Sequence, residues 1–317
     1  MYRSSVLKTI KFTIQPLSSF GSELLGDTLF VQLCWAIRDR YGNDRLEQLL
    51  EGYLQGTPFL VCSDAFPSGY LKMPAFPFYR YEPVESVDPK AIKRMQWLPV
   101  EAFERDVKCW LKYAQSQYFS KQKTQPHNSI DRRTGTTGSD EFAPYTEAQT
   151  WFTPEMKFDL YLVFDDTKLS ETELQDLLTD VGLSGYGRNA SVGQGKFSIT
   201  SKSDWNVNQN VNSNCCYTLS ACAPQGMGFE KDNSFYQLFV RFGRHGGQAA
   251  LSAGGCFKAP LMLAAASSLF SPNTMPSMPF VGQGIGGDDL LSKSIKGTVH
   301  QGYAPFLGVY LDKEEIT

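Results

Sequence analysis

The chain has 317 residues and a formal net charge of −3. That length suits two domains and a core that needs neither disulfides nor a metal to fold. The charge excludes indiscriminate coating of nucleic acid, though it leaves room for a local basic groove.

Val6, Lys8, Ile10, Phe12 and Ile14 alternate with Leu7, Thr9, Lys11, Thr13 and Gln15, the period of a strand. Lys8 and Lys11 stand where a signal peptide needs an apolar core, so no targeting signal is expected. After the polar turn Ser18-Ser19-Phe20-Gly21-Ser22, Leu25, Leu29, Leu33 and Ile37 recur every fourth residue and predict a helix from Asp27 to about Tyr41-Gly42. Residues 60–66 predict a second strand, closed by Pro67-Ser68-Gly69. Residues 82–150 break the rhythm, with a short helical piece at 100–113. The polar run that follows, 116–138, is too long for an ordinary connection, and is therefore functional or disordered.

Phe158, Leu160, Leu162 and Phe164 mark a third strand. Ser170-Glu171-Thr172-Glu173 is a capping box that starts a helix with Leu174, Leu177, Leu178 and Val181 on its buried face. A glycine-rich loop over 182–196 and a strand over 196–200 complete a βαββαβ order, the split ferredoxin-like or RRM-like arrangement. The expected fold is α+β with tandem ferredoxin-like domains. The first spans 1–203, with an insertion at about 82–150. The second, β-rich, spans 204–317, with strand candidates at 217–222, 235–242 and 299–311. The longest apolar stretch, 259–270, is too short to cross a bilayer, so a cytoplasmic protein with no membrane partner is expected.

The seven cysteines, Cys34, Cys62, Cys109, Cys215, Cys216, Cys222 and Cys256, are odd in number and show no CxxC spacing. Buried free thiols in a reducing compartment are expected, with no metal and no cofactor.

The glycine-rich loop carries the clearest chemical signal. Gly182, Gly185, Gly187, Gly193 and Gly195 permit positive φ and close backbone approach. Arg188 and Lys196 supply charge, Asn189 and Ser191 neutral donors, and successive backbone N–H groups can form a nest for phosphate oxygens. Tyr186 is a candidate for stacking on a base or ribose. The loop follows a helix and precedes a strand, the reverse of a dinucleotide fingerprint or P-loop, and no GxxxxGK[ST] is present. A connection whose glycines serve geometry alone is the plain alternative.

Other chemistry is sparse. No GxSxG, HExxH or DxDxDG pattern occurs, and Asp165-Asp166 reads as a solvated strand end. Of the histidines His127, His245 and His300, His127 lies nearest the arginines Arg132 and Arg133, which read here as a solvated basic turn. Asn189-Ala190-Ser191 matches a glycosylation sequon that has no meaning without secretion. The segment Gly243-Arg244-His245-Gly246-Gly247, within 241–253, receives no role.

The stretch Gly185-Tyr186-Gly187-Arg188-Asn189-Ala190-Ser191-Val192-Gly193-Gln194-Gly195-Lys196-Phe197 resembles the glycine-rich loop of RAMP-superfamily proteins in CRISPR effector complexes. Three further stretches narrow the resemblance to the subunit that caps the crRNA 5′ handle in type III-A (Csm) complexes. They are Gly26-Asp27-Thr28-Leu29-Phe30 with Leu33-Cys34-Trp35-Ala36-Ile37, then Ser63-Asp64-Ala65-Phe66-Pro67-Ser68-Gly69, then His127-Asn128-Ser129-Ile130-Asp131-Arg132-Arg133-Thr134-Gly135-Thr136-Thr137. Their order and spacing match over about two-thirds of the chain.

The resemblance implies two ferredoxin-like domains and a β-hairpin thumb in the long insertion. It implies a non-catalytic scaffold that binds the crRNA handle, contacts target RNA only indirectly, and joins a large polymerase/nuclease-like subunit to backbone RAMP subunits in antiviral defence. The RNA-binding residues it implies are Ser18, Ser19, Phe20 and Ser22 of the turn, and Asn128, Arg132, Arg133, Thr136 and Thr137 of the thumb. In the loop they are Gly185, Tyr186, Gly187, Arg188, Asn189, Ser191, Gly193, Gly195 and Lys196. The alternative is a metal-independent crRNA-processing endoribonuclease with His127 as general base.

Overall fold

The structure is a computed structural model that describes residues 7–84, 88–138, 142–207, 212–245, 255–287 and 291–313. In chain order the first half runs β1 (Leu7–Pro16), α1 (Gly26–Tyr41), α2 (Asn43–Leu50), β2 (Leu60–Pro67), β3 (Tyr70–Lys72), α3 (Pro89–Ile92), β4 (Trp97–Pro99), β5 (Ser120–His127), β6 (Tyr145–Phe152), β7 (Phe158–Asp165), α4 (Glu171–Ser184) and β8 (Phe197–Asp204). The second half is β9 (Cys215–Thr218), β10 (Leu238–Arg241), β11 (Leu261–Ala264), β12 (Leu269–Phe270), β13 (Phe280–Gly282), β14 (Ile285–Gly286), β15 (Val299–His300) and β16 (Tyr303–Val309).

The first sheet has the order β2-β7-β1-β8, antiparallel throughout. This is the ferredoxin-like order that the βαββαβ reading requires, with the first and third strands of the motif in the middle. One face of central β1 is covered by the two helices. Ile10, Phe12 and Ile14 lie in the core with Leu29, Phe30, Leu33 and Ile37 of α1 and with Leu174, Leu177, Leu178 and Val181 of α4. The other face of the sheet is partly polar. There Asp159, 2% exposed, accepts from Thr13 Oγ1 at 2.8 Å and Ser68 Oγ at 3.1 Å and pairs with Lys11 at 3.6 Å, so its buried charge is satisfied. The capping box forms as expected: Glu173 N–H donates to Ser170 Oγ and Ser170 N–H to Glu173 Oε2.

The second half supplies a four-stranded antiparallel sheet, β12-β9-β16-β13, with no helix among its described residues. The core between the sheets joins Tyr161 of β7 to Tyr217, Leu307 and Val309, and is filled by Phe103, Trp110 and Leu98. The last three come from the segment that follows β2. The inserted hairpin is therefore shorter than the expected 82–150. It is the β5–β6 ribbon, with Ser120 opposite Phe152 at its root and His127 opposite Tyr145 at its far end, while residues 97–114 belong to the shared core. The helical piece at 100–113 is two short 3-10 segments, Val100–Glu104 and Val107–Lys112.

The cysteines are free, and burial pushes the thiols of Cys215 and Cys222 up to about 12. Among the described residues no helix is long and apolar enough to cross a membrane.

One side chain ties the halves together. Gln301 is fully buried; its Oε1 accepts from Cys62 N–H at 2.8 Å and its Nε2 donates to Cys62 O at 2.7 Å. It thus closes the open edge of β2 as a further strand would. Gln301→Leu leaves a buried N–H and C=O without partners, and is expected to lower stability by about 2–4 kcal/mol in urea unfolding; a loss below about 0.5 kcal/mol would remove Gln301 from this role.

Candidate nucleic-acid interface

Once the αβ connection forms, the glycine-rich loop closes on itself at a narrow neck. Tyr186 N–H donates to Gly195 O at 2.9 Å, and a Cβ on Gly195, whose φ is +76°, would meet Tyr186 O at 2.0 Å. Only glycine fits there. The neck is fixed to the turn after β1: Gly195 N–H donates to Ser19 O at 2.8 Å, Lys196 N–H to Ser18 Oγ at 2.9 Å and Arg188 N–H to Ser22 Oγ at 2.9 Å. Val192, Gly193 and Gln194 N–H bond within the lobe. The expected open nest of backbone donors is therefore largely occupied already, and few of its N–H groups remain for an anion.

Tyr186 corrects a second expectation. It is fully buried, so it stacks on no base; its hydroxyl accepts from Leu25 N–H at 2.9 Å and lies 2.9 Å from Glu23 O, to which it donates. Phe20 is likewise buried, edge-to-face on Phe152 at 5.5 Å, and Ser19 is buried beneath Gln149. Gly185 and Gly195 are buried as well. Ser18, Phe20, Tyr186 and the neck glycines build the platform; Arg188, Ser191, Gly193 and Lys196 remain exposed on it, with Ser22, Gly187 and Asn189 partly so.

The glycine-rich loop touches the β5–β6 hairpin along β6. Arg188 Nη2 donates to Ala148 O at 3.3 Å and Asn189 Nδ2 to Glu147 Oε2 at 2.6 Å. Asn128, Arg132, Arg133, Thr136 and Thr137 are exposed beyond the end of the ladder, in a turn closed by Asp131 N–H to Thr136 O. Arg133 is held there by Asp131 at 3.3 Å. His127 stacks on Tyr145, with ring centroids 5.3 Å apart and planes at 15°, and its Nε2 is 3.9 Å from Glu147 Oε2. One face of the hairpin also carries Lys121 and Lys123, the latter 5.3 Å from the Trp151 ring centroid. The period-2 spacing of those lysines inside the polar run was the signal for them.

A larger group of residues was missed. Beside Gly187 and Arg188 lies a cleft of about 540 Å³ whose opposite wall comes from the second half: Arg241, Arg244, His245 and Lys258. Arg241 Nε is 2.6 Å from Asp27 Oδ2, and Arg241 also bonds Thr28 Oγ1. Burial lowers the His300 imidazole to about 4 and that of His245 below its usual range, so both are neutral near pH 7 and the positive charge is that of Arg188, Arg241, Arg244 and Lys258. Burial also lowers Lys258 from the ordinary lysine value, against the pull of Cys34 and Asp27. Residues 246–253 of the unassigned segment lie outside the described residues.

No protein-family model matches the sequence, and no curated protein matches it. Solved structures do. A chain of a Csm1–Csm4 cassette in complex with pppApA is 16% identical at a TM-score of 0.62, covering 98% of this chain and 100% of that one. The same cassette in complex with AMPPNP gives 16% and 0.61 at the same coverage. A chain of a Csm3–Csm4 subcomplex of the type III-A CRISPR-Cas interference complex gives 13% and 0.57, covering 92% and 98%. The fold is that of these chains, which come from assemblies that share Csm4. At such identities the likeness is one of fold, and it spans both halves, including the helix-poor second sheet.

Two side chains here have measurable consequences. Tyr186→Phe strands the Leu25 N–H at the start of α1 and is expected to cost about 1–3 kcal/mol in denaturant unfolding; no loss would mean that water replaces the hydroxyl. Asp64 accepts from Gly26 N–H at 2.8 Å, yet burial, aided by the charges of Asp27 and Glu23, pushes its carboxyl up to about 7. A carboxyl raised on folding takes up a proton between its unfolded and folded values, so it costs stability as pH climbs from about 4 to 7, by roughly 1.4 kcal/mol per unit of separation. Asp64→Asn escapes this. Its melting temperature relative to wild type should rise from pH 4 to pH 7 and level off above; a difference independent of pH would refute the assignment.

Proposed function

We propose that the chain is a non-catalytic RNA-binding scaffold subunit of a type III CRISPR effector complex, which holds the 5′ handle of a crRNA and bridges a large polymerase/nuclease-like subunit to backbone RAMP subunits. The observation that carries this reading is the cleft at which the glycine-rich loop of the first half meets arginines and a lysine of the second. A full-length fold match to chains solved with Csm1 and with Csm3 supports the choice of partners.

The chemistry fits a single-stranded RNA. Phosphates are held by charged side chains on a rigid frame, and bases are left to be read elsewhere. Arg188 is suited to this because its backbone is bonded to Ser22 and its guanidinium leans on the hairpin at Ala148, which limits the entropy lost on binding. Arg241 is aimed by a buried carboxylate, and Arg244 stands exposed at the rim. The hairpin tip, with Arg132 and Arg133, reaches toward RNA farther along the strand.

The test is binding of the full chain to handle RNA across a salt series. Arg188→Glu and Arg244→Glu are each expected to weaken binding by about tenfold or more. Each should also flatten the log Kd against log salt slope by roughly 0.7 for every phosphate no longer neutralised. Binding that ignores salt, or variants that bind like wild type, would overturn the reading. Gly187→Val is a poorer probe, since a Cβ there already meets Ser22 Cβ and Oγ at 3.0 Å. Repeat RNA incubated with the chain should stay intact; cleavage that His127→Ala abolishes would replace the scaffold with a ribonuclease.

A further inference from the structure

A second cavity, of about 440 Å³, lies across the 22–27 segment from the basic cleft. Ser22, Glu23, Leu25 and Asp27 line both. The two differ in every other respect. The walls of the second are aromatic: the partly exposed Phe152 is backed edge-to-face by the buried Phe20 and Phe158 at 5.5 and 5.0 Å, and the partly exposed Trp97 and Phe119 meet edge-on at 5.2 Å. Its carboxylates are Glu23 and Asp27, joined by the partly protonated Asp64, against Lys72 alone.

Such a site repels phosphate, because like charges in a partly desolvated cavity interact far more strongly than in water. A purely apolar ligand would leave the Asp64 carboxyl facing it without a partner, since Gly26 N–H is the one donor it has among the described residues. A flat, neutral ring with N–H donors on one edge satisfies both walls. Aromatic side chains stack on its face, which is worth about 1–3 kcal/mol per base in single-strand complexes. A carboxylate accepts from an exocyclic amino group, as Asp and Glu do from cytosine.

We propose that this cavity receives one unpaired nucleobase of the bound RNA, with Asp64 reading its N–H edge. The inference rests on the RNA-scaffold reading and adds a base-specific subsite to it. An RNA that crosses the 22–27 segment leaves its phosphates on the basic side and drops a base on the acidic one. The chemistry favours adenine, cytosine or guanine. Uracil is disfavoured, since its ring N–H lies between two carbonyl oxygens that would face the carboxylate.

The experiment measures handle RNAs carrying a single abasic site, or a single uracil, at each position in turn against the full chain, Asp64→Asn and Phe119→Ala. In wild type one position should show a loss of roughly 5- to 100-fold for either change. Asp64→Asn, which keeps the shape and offers an N–H donor to a carbonyl, should shrink the uracil penalty at that position and leave the others alone. Phe119→Ala should shrink the abasic penalty there. If no position behaves differently in the variants, the cavity takes no base. A steep salt dependence in that case keeps the scaffold reading, whereas failure of wild type to bind RNA at all ends both. Flat base penalties combined with loss of a partner subunit in either variant would assign the cavity to a protein side chain and overturn the proposal.

Discussion

The N-terminus of α1 depends on side chains that lie far away in sequence. A helix leaves its first N–H groups without intrahelical partners, and here no side chain at the N-cap, Leu25, supplies one. Leu25 N–H is taken by the Tyr186 hydroxyl and Gly26 N–H by the Asp64 carboxyl. The Asp27 carboxylate, in the first turn, holds Arg241. Three elements, the glycine-rich loop, β2 and β10, are thereby fixed to one short segment. The clefts on either side of it owe their shape to these bonds.

That arrangement explains which parts of the sequence were legible. The strands and helices of the first sheet announce themselves because β1 and β7 bury period-2 positions and α1 and α4 bury every third or fourth residue. The capping box at Ser170 and Glu173 is local, and local bonds can be read from spacing. Tyr186 could not be read so. Flanked by glycines it looks like an exposed ring, and what buries it is an acceptor and a donor more than 160 positions away.

The second half was illegible for a different reason. Its strands are often two to four residues long, too short for a period to show. Strand β10 also inverts the usual pattern, with Leu238 and Val240 exposed while Arg241 turns inward. An inward arginine contradicts binary patterning unless a buried carboxylate awaits it, and that carboxylate is Asp27, in the other half. The site residues missed by sequence reasoning, Arg241, Arg244 and Lys258, are those whose placement depends on this long-range pair.

The same pair sets the sign of the two clefts. Asp27 borders both, but Arg241 neutralises it on the side of the glycine-rich loop, where Arg188, Arg244 and Lys258 then leave a positive field. Glu23 also borders both, but on the other side it and Asp64 face only Lys72. A single segment of chain thus separates a surface that attracts phosphate from one that excludes it. On the proposed function, the backbone of an RNA laid across this segment would run along the loop and leave the aromatic recess for a base. Register along the strand, which phosphate contacts alone cannot define, would then follow from which base the recess accepts.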